Sequence, residues 1–478
     1  MRATGFVARL AALAWVTAAA LVLAGCGGSG GGLAHTPTTS PPYDGPSTSG
    51  TAQPGSHDLA PEVVDFVNSS HGWVAGPDGI AGSTDGGYSW HHEFADPAHR
   101  TFAQLDFIDA SHGWAVEQSG AIWATSDGGR SWAQRKGFVA EVAGFPGPVV
   151  TVDFVDPSDG YAFTEYAVRG SNGPNGPWLW RTSNGGRTWH AVTLPSGHGG
   201  SGTGGPAGRQ ICFTSKEVGW VVRVPALGSS DPHALLATAD GGATWSSQLT
   251  SPTDGAAPTV LAHGTTPTAP TPTYAITGGI LACSTLDPSV AWFLATGNPG
   301  MSQMSYSVYV TTDFGRTWTP VIDSPTAGSG PGPAFPRQMT PPPGVAAGPG
   351  SSPVNLVDVG GRAAVVVGTD LSVSLHPPYS GVAPLYAMAS TDAGATWRDI
   401  PPESGGLPAQ VPGIAGSSVS GFHLPAPGGG LSFVSPSVGW VLGLSATPDA
   451  RDASTLLETT DGGVTWRQVH VFAASGGV

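Results

Sequence analysis

An eight-residue pattern, Ser/Thr-x-Asp-x-Gly-x-Ser/Thr-Trp, recurs seven times along the 478 residues of this chain. It runs over Ser83–Trp90, Thr125–Trp132, Thr182–Trp189, Thr238–Trp245, Thr311–Trp318, Ser390–Trp397 and Thr459–Trp466. The third position is Asp85, Asp127, Asp240, Asp313, Asp392 or Asp461, and in one copy Asn184. The copies close on Trp90, Trp132, Trp189, Trp245, Trp318, Trp397 and Trp466. These are the residue types of a tight hairpin: glycine takes backbone angles that a Cβ forbids, a short carboxylate accepts turn N–H groups, and an indole covers the turn. A unit repeated every few tens of residues cannot bury its own apolar face, so it must stack on its neighbours.

A second motif precedes most copies, an apolar strand followed by Gly-Trp or Gly-Tyr. It reads Val64-Asp65-Phe66 then Gly72-Trp73, Leu105-Asp106-Phe107 then Gly113-Trp114, and Val152-Asp153-Phe154 then Gly160-Tyr161. It returns as Ile211-Cys212-Phe213 then Gly219-Trp220, and Leu431-Ser432-Phe433 then Gly439-Trp440. The fifth unit is looser (Ile280 to Trp292), and the sixth keeps only its apolar strands, around Leu356 to Val367. Each unit thus predicts four short strands, in the first Val63–Val67, Gly72–Ala75, Ile80–Thr84 and Ser89–Phe94. A four-stranded sheet exposes two faces, and seven set radially cover both while leaving few bare edges. The eight-residue motif resembles the Asp-box of the BNR-repeat propellers, so the expected fold is all-β, a single seven-bladed propeller of four-stranded blades over residues 61–474. The last unit supplies its own fourth strand (Arg467–Phe472) and the first its own first strand. The ring is therefore expected to close by blade-to-blade packing, without a strand borrowed from the other terminus.

Composition agrees with this reading and removes one class of function. The 72 glycines and 45 prolines, with only 11% charged residues, describe many turns and few helices. The formal charge is −15, and Lys136 and Lys216 are the only lysines. Binding nucleic acid needs clustered cations to neutralise phosphates, so no nucleic-acid partner is expected.

The N-terminus reads as an address. Arg2 and Arg9 precede an apolar run, Leu10 to Leu23, which is followed by Leu23-Ala24-Gly25-Cys26. A basic start, a short apolar stretch and small residues before the cleavage point describe an export signal, expected over residues 1–25. The ending resembles a bacterial lipobox, which makes Cys26 the lipidated first residue of the mature protein. The other reading is an uncleaved anchor helix, and both place the body outside the cytoplasm. Residues 26–60 are rich in Gly, Ser, Thr and Pro and have little to bury, the composition of a disordered tether.

Sequence length is spent unevenly. Turns between the first and second strands, such as Asn68–His71 and Asp156–Asp159, are short, and those between the third and fourth strands are the boxes. Long insertions occupy the other two connections: Thr250–Thr277, Pro320–Pro353 and Pro401–Gly429 between blades, and Tyr166–Pro177, Pro225–His233, Gly297–Ser307, Ser372–Pro384 and Ser445–Ser454 within them. All emerge on one face of blades three to seven. Loops on a rigid scaffold are where binding usually resides, while tolerated filler is the plainer account.

No catalytic set emerges. One Asp-box aspartate per blade, replaceable by Asn184, reads as structure. A sialidase-like site requires arginines converging from separate blades. The arginines outside the boxes and the signal are few, among them Arg100, Arg169, Arg209, Arg223, Arg337 and Arg362, and the Phe/Tyr-Arg-Ile-Pro signature is missing, Phe335-Pro336-Arg337 having another order. His71 and His112 hold equivalent places before Gly-Trp, which marks them as turn residues, and no metal-spaced cluster appears. No cofactor and no metal are expected. Cys212 and Cys283, on inner strands of adjacent blades, form a disulfide or stay two buried thiols.

The whole unit, apolar-Asp-Phe, Gly-Trp, then Thr-x-Asp-Gly-Gly-x-Thr-Trp, resembles the photosystem II assembly and stability factors, which are seven-bladed propellers of this repeat. That resemblance implies a membrane-tethered propeller that holds or helps assemble another envelope or membrane protein. The loop distribution places that client on the long-loop face, the signal places the chain outside the cytoplasm, and a non-enzymatic monomer is expected. The basic patch of that family is not carried over to this acidic, arginine-poor chain. The alternative expectation is a carbohydrate-binding or glycan-hydrolysing envelope protein, and a third is a purely structural lipoprotein. Nearly all of the 16 tryptophans already have repeat positions.

Overall fold

The computed structural model describes residues 61–76, 79–95, 101–135, 149–165, 179–194, 211–222, 233–250, 274, 276, 278–284, 287–300, 303–324, 351–360, 362–370, 385–400, 430–444, 454–462 and 467–472. These residues form seven four-stranded antiparallel sheets and no helix, each sheet built from four strands consecutive in sequence. The first blade contains Val63–Phe66, Gly72–Gly76, Gly79–Ser83 and His91–Ala95. The last contains Leu431–Phe433, Gly439–Leu444, Ser454–Thr459 and Arg467–Phe472. Inner strands touch from blade to blade around the whole ring, the last meeting the first. The architecture is the expected seven-bladed propeller, and the blades at the two ends of the chain each keep their own four strands.

Alternation along the second strands explains why blades need neighbours. Trp73, Val74 and Ala75 are all buried, because one side of the pleat faces each adjoining blade. Val64, Phe66 and Val74 of the first blade pack with Trp440, Leu442 and Leu456 of the seventh. Val63, Trp73, Ala75 and Ile80 pack instead with Phe102, Leu105, Phe107 and Ala115 of the second. A single sheet has two apolar faces, and only a ring covers both.

Two expected loops change character. Residues 297–307 are not an insertion: the second strand of blade five runs over Ala291–Gly300 and the third over Gln303–Thr311, so only residues 301–302 separate them. Ser305, Tyr306, Ser307 and Val308 are buried there, which gives the extended ladder something to cover. The Pro320–Pro353 stretch likewise gives up both ends to strands, Thr319–Ser324 and Ser351–Gly360. Residues 325–350, and the central parts of the other long insertions, lie outside the described residues.

Candidate functional site

The chemistry-bearing residues of the repeat fall into two sets, the boxes and the seams between blades. In the first box, Asp85 Oδ1 accepts from the Ser83 hydroxyl (2.8 Å) and the Ser89 N–H (2.9 Å), and Oδ2 from the Ser89 hydroxyl (2.5 Å). The Ser83 oxygen in turn accepts from the Gly87 N–H at 2.8 Å. The same network holds Asp127, Asp240, Asp313 and Asp392. Asp461 keeps its bond from Thr459 at 2.9 Å, while Trp466 lies outside the described residues. Each hairpin is pinned to the first turn of its own blade, as by the Gly86 N–H on the Ser70 carbonyl and the Gly128 N–H on that of Ser111.

Hydroxyl and N–H donors hold the carboxyls of Asp85, Asp127, Asp240, Asp313 and Asp392 below the ordinary range. For Asp127, Asp240 and Asp392 the largest influence is the hydroxyl of Ser131, Thr244 or Thr396. For Asp85 and Asp313 partial burial pushes upward, and the same kinds of donor outweigh it. Asn184 shows that the charge is dispensable: its Oδ1 accepts from the Thr188 N–H at 2.9 Å, and its Nδ2 donates to the Thr188 hydroxyl at 2.7 Å. The hydroxyl has reversed its role, from donor to acceptor, and the hairpin is unchanged. Asp127→Asn is therefore expected to leave the thermal midpoint nearly unmoved. Asp127→Ala should cost about 1–2 kcal/mol, since several solvent-screened hydrogen bonds vanish together. Equal losses in the two variants, read by thermal unfolding, would contradict the assignment.

The seam set explains the second motif. The Asp65 carboxylate accepts the Phe107 N–H of the next inner strand (2.8 Å), Asp106 that of Phe154 (2.8 Å) and Asp153 that of Phe213 (2.5 Å). Ser432 does the same for Phe66 at 3.0 Å, across the point where the last blade meets the first. Each clamped Phe lies flat against the aromatic of the previous blade. The pairs are Trp73 with Phe107, Trp114 with Phe154, Tyr161 with Phe213 and Trp440 with Phe66, with ring centroids 3.4–3.7 Å apart. The polar tips are satisfied too: Trp73 and Trp440 donate to the Gly128 and Gly86 carbonyls (both 3.0 Å), and the Tyr161 hydroxyl to that of Lys216 at 2.7 Å. Burial pushes the Tyr161 phenol up to about 12.

The other side of each Phe rests on the glycine of its own hairpin, so a Cβ at Gly72, Gly113, Gly160, Gly219 or Gly439 would fall inside the ring. The recurring seven-residue aromatic spacing is the length of that hairpin. Where glycine becomes alanine, at Ala291 and Ala364, the partner across the ladder is no longer Phe but Cys283 and Asp358.

Cys212 holds the clamping position of blade four and Cys283 the Phe position of blade five. The structure joins them in a disulfide with Cα atoms 5.8 Å apart, so a covalent bond stands where other seams have a carboxylate-to-amide bond. His71 and His112 serve their turns, beside Asn68 and Asp109, whose side chains also accept the turn N–H groups. Among the described residues no group of three His, Cys, Asp or Glu side chains is placed to hold a metal, and no helix is long and apolar enough to cross a membrane. Cys26 lies outside the described residues, as do Arg100, Arg169, Arg209, Arg223 and Arg337. Arg362 lies in the first turn of blade six, near Asp287.

Sequence reasoning missed the clamps. The signal was available: Asp65, Asp106 and Asp153 recur between apolar neighbours on inner strands, where an uncompensated carboxylate is costly. It missed Asp358 as well, because the register that places it at a Phe position is visible only in the ladder. A third omission is the cluster at the closing seam, where Arg467 reaches Glu458 at 2.6 Å and lies over the ring of Tyr88.

Residues 56–199, which include the first three boxes, match the family model described as photosynthesis system II assembly factor YCF48. Among solved structures, a YCF48 bound to a D1 peptide is similar at 15% identity and TM-score 0.43, over 80% of this chain and 90% of that one. YCF48 from Cyanidioschyzon merolae is similar at 15% identity and TM-score 0.43, over 84% and 96%. A GH74 xyloglucanase from Xanthomonas campestris is similar at 11% identity and TM-score 0.45, over 86% of this chain and 68% of that one. No curated protein matches the chain significantly.

Proposed function

We propose that this chain is a protein-binding scaffold or assembly factor, tethered outside the cytoplasm by a lipid on Cys26, that holds another envelope or membrane protein. The observation that carries the reading is the match of residues 56–199 to an assembly-factor family, over the blades where the repeat is most regular. The geometry supports it from a second direction. The box carboxylates are engaged in their own hairpins and the inner-strand carboxylates in the seams, so the repeated acidic residues hold the scaffold together. Function then belongs to what the scaffold displays. The Pro-rich insertions of blades three to seven, by their length and common face, are the proposed client surface, carried by a monomer without metal or cofactor.

The test is in-cell cross-linking of the tagged full chain with mass spectrometry, beside a variant shortened within residues 325–350 and 401–429, which spares the flanking strands. Capture of one defined envelope protein, lost in the variant, is the expected result. Equal capture by both would move the site off the long-loop face. Failure to capture any protein, with hydrolysis of a fluorogenic glycoside panel, would replace the scaffold by a glycan-active protein.

A further inference from the structure

The seam between blades five and six lacks the carboxylate clamp and the stacked pair, like that between six and seven, where Val357 and Val365 hold the clamp and ring positions. Only the seam between five and six places a carboxyl at the Phe position. Its clamping position is Ala282, which has no acceptor to offer, and its Phe position is Asp358, opposite Ala364. Trp292 of blade five, fully buried, therefore faces a carboxyl where Trp73, Trp114 and Trp440 face a ring. The Gly360 N–H donates to Asp358 Oδ2 at 2.9 Å, but Oδ1 is sealed from solvent without a partner. The indole N–H groups of Trp292 and of Trp397, the box tryptophan of blade six that packs edge-on against it, are also buried and unpartnered. Three unmatched polar atoms thus gather at one seam.

The charged groups facing this carboxyl do not relieve it. Asp287, in the first turn of blade five, adds a like charge, and Arg362, in the first turn of blade six, acts on Asp287. The Ser284 hydroxyl and the Gly360 N–H favour the ionised form, as does the nearby Trp292 indole, which falls short of hydrogen-bond geometry. Burial outweighs them and pushes the Asp358 carboxyl up to about 7.

We propose that the joint between blades five and six is proton-gated: a neutral Asp358 keeps it closed, and ionisation loosens it. Neutralising the carboxyl removes the charge that the seam cannot solvate. Ionisation restores a charge whose Oδ1 has no donor, beside Asp287, with no clamp or stacked ring to oppose separation. The direction follows from linkage. The folded state binds the proton more tightly than the unfolded one, so the stabilising contribution is present at acid pH and is lost as pH rises toward 7. The box aspartates act oppositely, losing their contribution only as pH falls below the usual carboxylate range.

Hydrogen exchange of the purified full chain, read by mass spectrometry at about pH 5.5 and about pH 8 and corrected for intrinsic chemistry, tests the joint. Peptides covering 278–294 and 351–367 should exchange about tenfold faster at the higher pH, while peptides 62–76 and 102–116 of the first seam should not change. Asp358→Asn should abolish the difference. Should that variant fail to fold, Asp287→Asn is expected to shrink the difference by removing the facing like charge. Uniform behaviour of all seams in the wild type, or an unaltered difference in either folded variant, would overturn the proposal. Client capture is not part of this readout, so it can fail while the scaffold reading stands.

Discussion

Trp440→Ala will lower the stability of the propeller by about 3–5 kcal/mol, the range for removing a large buried aromatic. Trp440 is fully buried between the last blade and the first. The substitution removes its stack on Phe66, its hydrogen bond to Gly86 and its packing against Val64 and Val74. The consequence is larger than the cavity, because this seam joins segments more than 350 residues apart in sequence (|i−j| = 354 for the Trp440–Gly86 bond). Neighbouring contacts there must overcome the loop-closure entropy of the whole ring. Denaturant titration should show a lower midpoint, and faster exchange of peptides from both terminal blades. A loss below about 1 kcal/mol would mean that the ring does not depend on this seam.

Gly113→Ala will be the second most damaging of the substitutions considered, although it adds one methyl group to an interior strand. The new Cβ falls inside the Phe107 ring, which cannot retreat because Trp73 lies against its other face at 3.5 Å. Relief requires either a shift of the strand or loss of the stack, and overpacking of this kind costs about 1–3 kcal/mol or more. A double-mutant cycle identifies the mechanism. Adding Phe107→Leu should restore part of the loss, with a coupling of about 1 kcal/mol, because the smaller side chain accepts the methyl group. Strictly additive losses would show that the glycine is required for some other reason. Blades five and six already illustrate the exchange, with alanine opposite cysteine and alanine opposite aspartate.

The repeat made the fold legible because its information is local. Each box closes a hairpin within eight residues, as Ser83, Asp85, Gly87 and Ser89 do among themselves, and seven copies fix the number of blades. The role of Asn184 was legible for the same reason, since one isosteric exception in a series shows what the series does not require. The expected loop at 297–307 failed where a local rule was overridden. Its residues satisfy turn-like composition, yet Tyr306 and Val308 find buried places, and the ladder lengthens to deliver them.

What the sequence by itself determined is the number of blades, the box of each and, in the regular units, the aromatic positions. What only the tertiary structure decided is how blades meet: that an inner-strand aspartate clamps the following blade, that a disulfide replaces the clamp once, and that Asp358 stands where a ring belongs. The physical reason is range. Hairpin bonds join residues a few positions apart and follow from residue type, whereas a seam joins side chains about 40 to 370 positions apart, from Asp65 with Phe107 (42) to Ser432 with Phe66 (366). Their pairing exists only after seven sheets have closed on one another.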